Sequence, residues 1–131
     1  NKKKNMRVLL GGWRRQYIIN RLIEENINYT LLELVPRDIL KKMYAACDLY
    51  VVSSRHEGGP QSILEAPAMR VPIISTDVGM ATDVLTKECI FDVTKKKYMP
   101  TNVDVEKAYK NVQKYNIKKH ILKYKKMFER V

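Results

Sequence analysis

The sequence predicts an α/β domain, a parallel sheet of the doubly wound kind with flanking helices. Three observations predict it. Short apolar runs alternate with stretches whose apolar residues recur at helical spacing, in the order strand, helix, strand, helix, strand, helix, strand. The strand runs are apolar almost throughout, as in strands buried on both faces, and such strands are joined by crossover helices. All five glycines (Gly11, Gly12, Gly58, Gly59 and Gly79) fall in loops just after a predicted strand.

Each element has its own warrant. Met6 to Leu10 is an apolar run closed by Gly11-Gly12, a strand ending in a tight loop. Tyr17, Ile18, Leu22 and Ile23 recur at helical spacing, so a helix is expected over Arg15 to Glu25. Tyr29 to Val35 reads as a second strand, stopped by Pro36. Asp38 can cap a helix through Ala46, with Ile39, Leu40, Met43 and Tyr44 on one face. Leu49 to Ser53 is a third strand. After the loop Ser54 to Gly59, Pro60 suits a helical first turn, where its missing N–H costs nothing. Pro72 to Ser75 is a fourth strand, Ala81 to Leu85 a short helix, and Cys89 to Asp92 a brief fifth strand. From Val103 the pattern is helical to the end, with Ile117, Ile121, Tyr124, Phe128 and Val131 in one stripe and lysines elsewhere.

The length, 131 residues, fits one domain, and a hydrophobic content of 45% supplies one core. We therefore expect residues 1–131 to form a single domain, with 103–131 a basic helical segment. The first residue is Asn, so further sequence upstream is expected. No apolar run approaches the roughly 20 residues of a membrane span, and no signal-peptide pattern opens the chain. Cys47 and Cys89 are far apart, without CxxC spacing or a paired His. They read as reduced, buried thiols of a cytosolic protein.

The formal net charge of +11 is unevenly spread. Residues 95–131 hold 12 Lys/Arg against 3 Asp/Glu, a net of +9, whereas residues 1–94 hold 13 against 11, a net of +2. A basic tail can attract nucleic acid or anionic lipid, or can simply be a solvated face. No RRM, KH, zinc-finger or helix-turn-helix signature supports a specific nucleic-acid reader. Tyr98, Tyr109, Tyr115 and Tyr124 interleave with the lysines, and helical spacing turns several of them toward the core.

Ligands of open parallel sheets bind outside the carboxyl ends of the strands, which is where the glycines lie. The sharpest segment is Ser53 to Ala66, SSRHEGGPQSILEA. Two glycines and a proline lead into a helix whose first N–H groups, about Gln61 to Leu64, lack intrahelical partners. With the positive dipole end, they form a ready site for a phosphate or diphosphate. Glu57 stands before the turn and Glu65 about one turn inside the helix. A carboxylate beside a phosphate needs its own partner, and vicinal hydroxyls of a sugar or ribose are suitable. The plainer alternative is an ordinary strand–loop–helix with a capping glutamate. His56 and His120 are too isolated to hold a metal, so no metal site is expected.

Glu57 and Glu65, with seven residues between them, lie in S-R-x-E-G-G-P-x-x-x-L-E-A. Pro72 and Ile73-Ile74-Ser75-Thr76-Asp77-Val78-Gly79 follow, and Met43 to Val52 precede. From Met6 to Asp92 this resembles the C-terminal domain of glycosyltransferases of the GT-B fold, family 4 type. The resemblance implies two Rossmann-like domains, the C-terminal one binding the nucleotide-sugar donor. Glu57 would contact hydroxyls of the donor sugar as the catalytic glutamate. Gly58, Gly59, Pro60, Gln61, Ser62, Ile63 and Leu64 would contact sugar and diphosphate through backbone N–H groups, and Glu65 would hold the ribose. The base would pack near Val35 to Arg37, and Gly12 would border the donor. Transfer would retain anomeric configuration, the leaving diphosphate taking the acceptor proton without a protein nucleophile. No Asp-x-Asp occurs in the chain, so helix N-terminus and basic side chains would do the work of a metal. No cofactor is implied, because the nucleotide sugar is the substrate. Acceptors in polysaccharide, lipopolysaccharide or glycolipid synthesis follow, in the cytoplasm and at the membrane periphery.

The sequence departs from the pattern in several places. The strand–helix unit that would carry an Arg and a Lys for the diphosphate is missing before Met6, and Arg14 or Arg15 would substitute. The acceptor-binding N-terminal domain is absent, so this chain alone is expected to be inactive. Arg70 stands where a helix-ending Gly is usual, at about 1 kcal/mol of left-handed strain. Pro67 should kink or shorten its helix. Met80 replaces a second Gly after Gly79. The alternative class is a non-catalytic basic module binding nucleic acid or anionic membrane. The terminal helix, Ile117 to Val131, is expected to make contacts outside this domain.

Overall fold

The computed structural model describes residues 5–95 and 103–129; Tyr98 and Val131 of the sequence argument lie outside the described residues. The chain forms two compact units, Asn1–Cys47 and Asp48–Val131.

The first unit is a strand–helix–strand–helix run: β1 (Arg7–Gly11), α1 (Gln16–Glu24), β2 (Asn28–Leu32) and α2 (Arg37–Ala45). β1 pairs parallel to β2, from Arg7 opposite Asn28 to Gly11 opposite Leu32. β2 is shorter than the apolar run suggests. Its partner ends at Gly11, so nothing remains for Glu33 to Val35 to pair with, and Leu34 is exposed. α1 buries Ile19 and Leu22, while Tyr17 is 78% exposed and Ile23 58%. A helix of nine residues offers the sheet only one narrow stripe, and that stripe is set by Ile19 and Leu22. α1 ends at Asn26, φ 52°, with Ile27 N–H donating to the Leu22 carbonyl (2.8 Å) and Asn26 N–H to that of Ile23 (3.0 Å). This is a Schellman closure, and Asn tolerates its left-handed position. α2 starts two residues earlier than expected. Pro36, extended at ψ 153°, takes the N-cap position, and Asp38 sits in the first turn without capping, favourably near the positive end.

The second unit holds β3 (Tyr50–Val52), α3 (Ser62–Ala68), β4 (Ile73–Ser75), α4 (Ala81–Val84), α5 (Val105–Val112) and α6 (Ile117–Phe128). β3 and β4 are parallel, Tyr50 opposite Ile73 through Val52 opposite Ser75. The expected fifth strand is reduced to one parallel bridge, Ile90 opposite Ser75, because a 3-10 turn at Lys87–Cys89 takes up its first residue. Beyond it, the Thr94 hydroxyl and N–H both donate to Asp92, which holds that exposed carboxyl below the usual range. The core is aliphatic: Ile63, Ala66, Ile73, Ile74 and Val84 are fully buried. Cys89 is buried, Cys47 half-buried, and both are free thiols.

The basic tail is two helices, the second starting at Ile117 as the sequence predicts. Asn116, with extended ψ of 125°, interrupts the run, and its side chain accepts from Lys118 N–H at 2.9 Å to cap α6. Asp104 caps α5 in the same way, accepting from Lys107 N–H. Tyr109 and Tyr115 are half-buried, as expected for several of these tyrosines, and Tyr124, in the terminal stripe, is 57% exposed. No helix among the described residues is long and apolar enough to cross a membrane.

Arg70 resolves one sequence departure. Pro67 lies inside the seven-residue α3, which closes at once in a second Schellman motif. Val71 N–H donates to Ala66 O (3.0 Å) and Arg70 N–H to Pro67 O (2.9 Å), with Arg70 at φ 54°. Glycine would adopt that conformation freely. Arginine is strained there, yet its side chain ties α3 to α5: Nε donates to Glu106 at 3.0 Å, and the guanidinium lies 3.7 Å above the Tyr109 ring. An exposed ion pair gives about 0.2–1 kcal/mol and an exposed cation–π contact about 0.5–1, against strain of roughly 1. Arg70→Ala, which keeps the strain and loses both contacts, should therefore lower stability by about 1–2 kcal/mol in urea unfolding. Arg70→Gly, which also removes the strain, should be more stable than Arg70→Ala by about 1 kcal/mol. Equal stability of the two variants would contradict the left-handed assignment.

Candidate functional site: the loops after β3 and β4

The two parallel strands of the second unit end side by side, and their loops are laced together. Thr76 N–H donates to the Val52 carbonyl (3.0 Å), and the Thr76 hydroxyl to the Ser54 carbonyl (2.6 Å). Beyond them the backbones touch. Gly79 adopts φ 53°, and a Cβ there would lie 2.9 Å from the Gly59 Cα and 3.1 Å from the Gly58 carbonyl oxygen. Only glycine satisfies both the conformation and the space. Met80 carries no such demand: its φ is −95°, so replacing a second glycine here costs nothing in the backbone. The glycine positions were legible in sequence. The hydroxyl of Thr76, which fixes the loop base, was not singled out, although Ser75-Thr76-Asp77 after a strand offered a signal.

On this base the segment from Arg55 to Gly59 is exposed, while Pro60 is buried beneath it. Arg55, His56 and Glu57 make no hydrogen bond or ion pair among the described residues. The start of α3 differs from expectation. Ile63 N–H donates to the Pro60 carbonyl (3.0 Å) and Leu64 N–H to that of Gln61 (2.9 Å), so a tight 3-10 turn uses two of the four donors expected to face a ligand. Glu65 N–H also reaches Gln61 O. Among the described residues, the N–H groups of Gln61 and Ser62, and of Gly58 and Gly59 in the loop, find no backbone acceptor. The Ile63 side chain is wholly buried, so its part in the site is to seat the helix. Glu65 lies in the first turn of α3, half-buried. It borders a shallow groove of about 280 Å³ whose other wall runs from Val112 to Asn116.

The remaining predicted residues belong to the first unit. Gly12 follows β1 at φ 89°, its N–H donating to the Leu32 carbonyl at 3.0 Å. Val35 is half-buried in the β2–α2 connection, and Arg37 is the exposed first residue of α2. Of the two arginines suggested for the diphosphate, Arg15 is engaged locally, Nε donating to the Gly11 carbonyl (3.1 Å). Arg14, at φ 60°, is exposed and makes no ion pair among the described residues. Among the described residues no group of three or more His, Cys, Asp or Glu could hold a metal ion.

Parallel strand pairs with flanking helices and glycine-rich loops at the strand ends define an α/β class. Residues 1–115 match the glycosyl transferases group 1 family, and the chain belongs to that family. A 53-residue stretch is 42% identical to the Bacillus subtilis (strain 168) protein named "Putative teichuronic acid biosynthesis glycosyltransferase TuaC". That stretch is 40% of this chain and only 14% of the length of that relative.

Proposed function

We propose that this chain is the donor-binding part of a retaining glycosyltransferase that works without a bridging metal. Its substrate is a nucleotide-diphosphate sugar. The observation that carries the reading is the loop pair locked at Gly59 and Gly79, which presents four N–H groups, from Gly58, Gly59, Gln61 and Ser62, between Glu57 and Glu65. Backbone donors fixed in this way stabilise charge developing on a leaving diphosphate without reorganising as it forms. Glu57 takes the donor-sugar hydroxyls and Glu65 those of the ribose. The bond between the anomeric carbon and the diphosphate oxygen breaks, the acceptor oxygen bonds to that carbon on the same face, and the acceptor proton passes to the diphosphate. The acceptor and the partner domain that binds it lie beyond these residues.

Calorimetric titration with UDP, GDP, ADP and their sugar conjugates, without added metal, tests the reading. One nucleotide should bind saturably. Glu65→Ala should weaken it by about tenfold or more, the equivalent of 1.4 kcal/mol or more for lost charge-assisted hydrogen bonds. Glu57→Ala should weaken the sugar conjugate but leave the bare nucleotide unaffected. Equal affinity of wild type and Glu65→Ala would remove the ribose role from Glu65.

A further inference from the structure

Thr76 stands where the two strand-end loops of the second unit meet, and each of its polar atoms is engaged. It follows the last residue of β4 and is buried. Its N–H donates to the Val52 carbonyl at the end of β3 (3.0 Å). Its carbonyl accepts from Val78 N–H (2.9 Å) and from the Ser75 hydroxyl (2.7 Å), so the backbone at Thr76 is fixed on both sides. The hydroxyl then crosses to the β3 loop and donates to the Ser54 carbonyl at 2.6 Å, a short bond between residues 22 apart in sequence. That bond is the near anchor of an exposed arch, Arg55 to Gly59. The far anchor is the backbone contact of Gly59 with Gly79, followed by buried Pro60. Between the anchors, Arg55, His56 and Glu57 make no hydrogen bond or ion pair among the described residues. Glu57 is therefore placed by the backbone alone, and by the two points at which the arch is tied down.

We propose that Thr76 is a positioning residue for Glu57: by holding the Ser54 carbonyl, its hydroxyl sets the arch so that the carboxylate meets the hydroxyls of the donor sugar. The inference rests on the donor-binding reading above. One hydrogen bond adds little to the stability of a whole domain. It does remove freedom from a segment that must otherwise be ordered when the ligand arrives, and that saving appears in affinity. The loss of the bond should be felt at the sugar and not at the ribose. Glu65 is carried by α3, beyond the far anchor, and does not hang on the arch.

The test compares Thr76→Ala, which removes the donor hydroxyl, with Thr76→Ser, which keeps it, in the 131-residue chain. Backbone order parameters from amide nitrogen relaxation should fall at Arg55 to Gly58 in Thr76→Ala, from about 0.85 toward about 0.6. Those of Ile63 to Ala66 should stay unchanged, and Thr76→Ser should keep the arch ordered. In calorimetry, Thr76→Ala should weaken the nucleotide sugar about threefold to tenfold and leave the bare nucleotide unaffected, with rescue by Thr76→Ser. Thr76→Val, which also lacks the hydroxyl, replaces Thr76→Ala in both measurements if the alanine variant does not fold. A merely structural role would loosen the arch and α3 together and weaken both ligands alike, and that result would overturn the proposal. So would an arch equally ordered in wild type and Thr76→Ala. So would Thr76→Ala binding like wild type while Glu57→Ala weakens the nucleotide sugar. The donor-binding reading fails in a different way: wild type binds no nucleotide sugar, or binds it equally well without Glu57, and the role of Thr76 then falls with it.

Discussion

Gly79→Ala should lower the stability of the chain by about 2–3 kcal/mol and weaken nucleotide-sugar binding together. Two costs add. An alanine at φ 53° carries roughly 1 kcal/mol of left-handed strain. Its Cβ would also press to 2.9 Å on the Gly59 Cα and 3.1 Å on the Gly59 nitrogen, which are backbone atoms that cannot rotate away. The strand-end loops must then separate, and small domains have only about 5–15 kcal/mol in all. Gly58→Ala is the control. A Cβ there meets nothing within 4 Å and the φ is not left-handed, so stability should change by less than about 0.5 kcal/mol. If the loop backbone approaches the donor, Gly58→Ala nonetheless weakens binding, because the added methyl stands between ligand and N–H. Urea unfolding of both variants, read beside their calorimetric affinities, separates the packing role from the contact role. Equal stability of the two would mean that the loops are not in backbone contact.

What the sequence could and could not show follows from the range of the interactions. Strand identity and order depend on local apolar runs, and β1, β3 and β4 fall within a residue or two of the expected limits. Where a strand stops is set by its partner, so the end of β2 at Leu32 depends on Gly11 at the end of β1 and could not be read from YTLLELV. The buried face of α1 is likewise chosen by the surface it meets, and five apolar residues in nine (Tyr17, Ile18, Ile19, Leu22 and Ile23) left more than one choice. The start of the last helix at Ile117 is a local matter, set by Asn116, whose side chain caps it. In the site, the glycines marked the strand ends because their reason is local conformation. The loss of two helix-start donors to a 3-10 turn depends on the carbonyl directions of Pro60 and Gln61, which composition does not reveal. Arg70 shows the reverse: strain was legible from one position, but its compensation by Glu106 and Tyr109 lies 36 and 39 residues away.

Ile63→Ala should be among the most destabilising single changes in the second unit, by about 2–5 kcal/mol, with Ile63→Val nearer 0.5–1.5. The side chain is fully buried at the first turn of α3, and truncation leaves a cavity that a rigid 3-10 turn cannot collapse into. The prediction also tests how Ile63 serves the site. If its N–H met the diphosphate, Ile63→Val would leave binding intact only because valine keeps the backbone. That N–H instead holds the Pro60 carbonyl, so Ile63 acts by seating the helix that carries Ser62 and Glu65. The folded fraction of Ile63→Ala should then bind nucleotide sugar with less than about a threefold loss, while its midpoint in urea falls sharply. Saturating donor should restore part of that midpoint, by about 2.7 kcal/mol at a ligand concentration 100 times Kd. A variant that recovers stability with ligand but binds ten times more weakly when folded would show that the α3 start moves with its core. The tight turn would then be part of the donor contact itself.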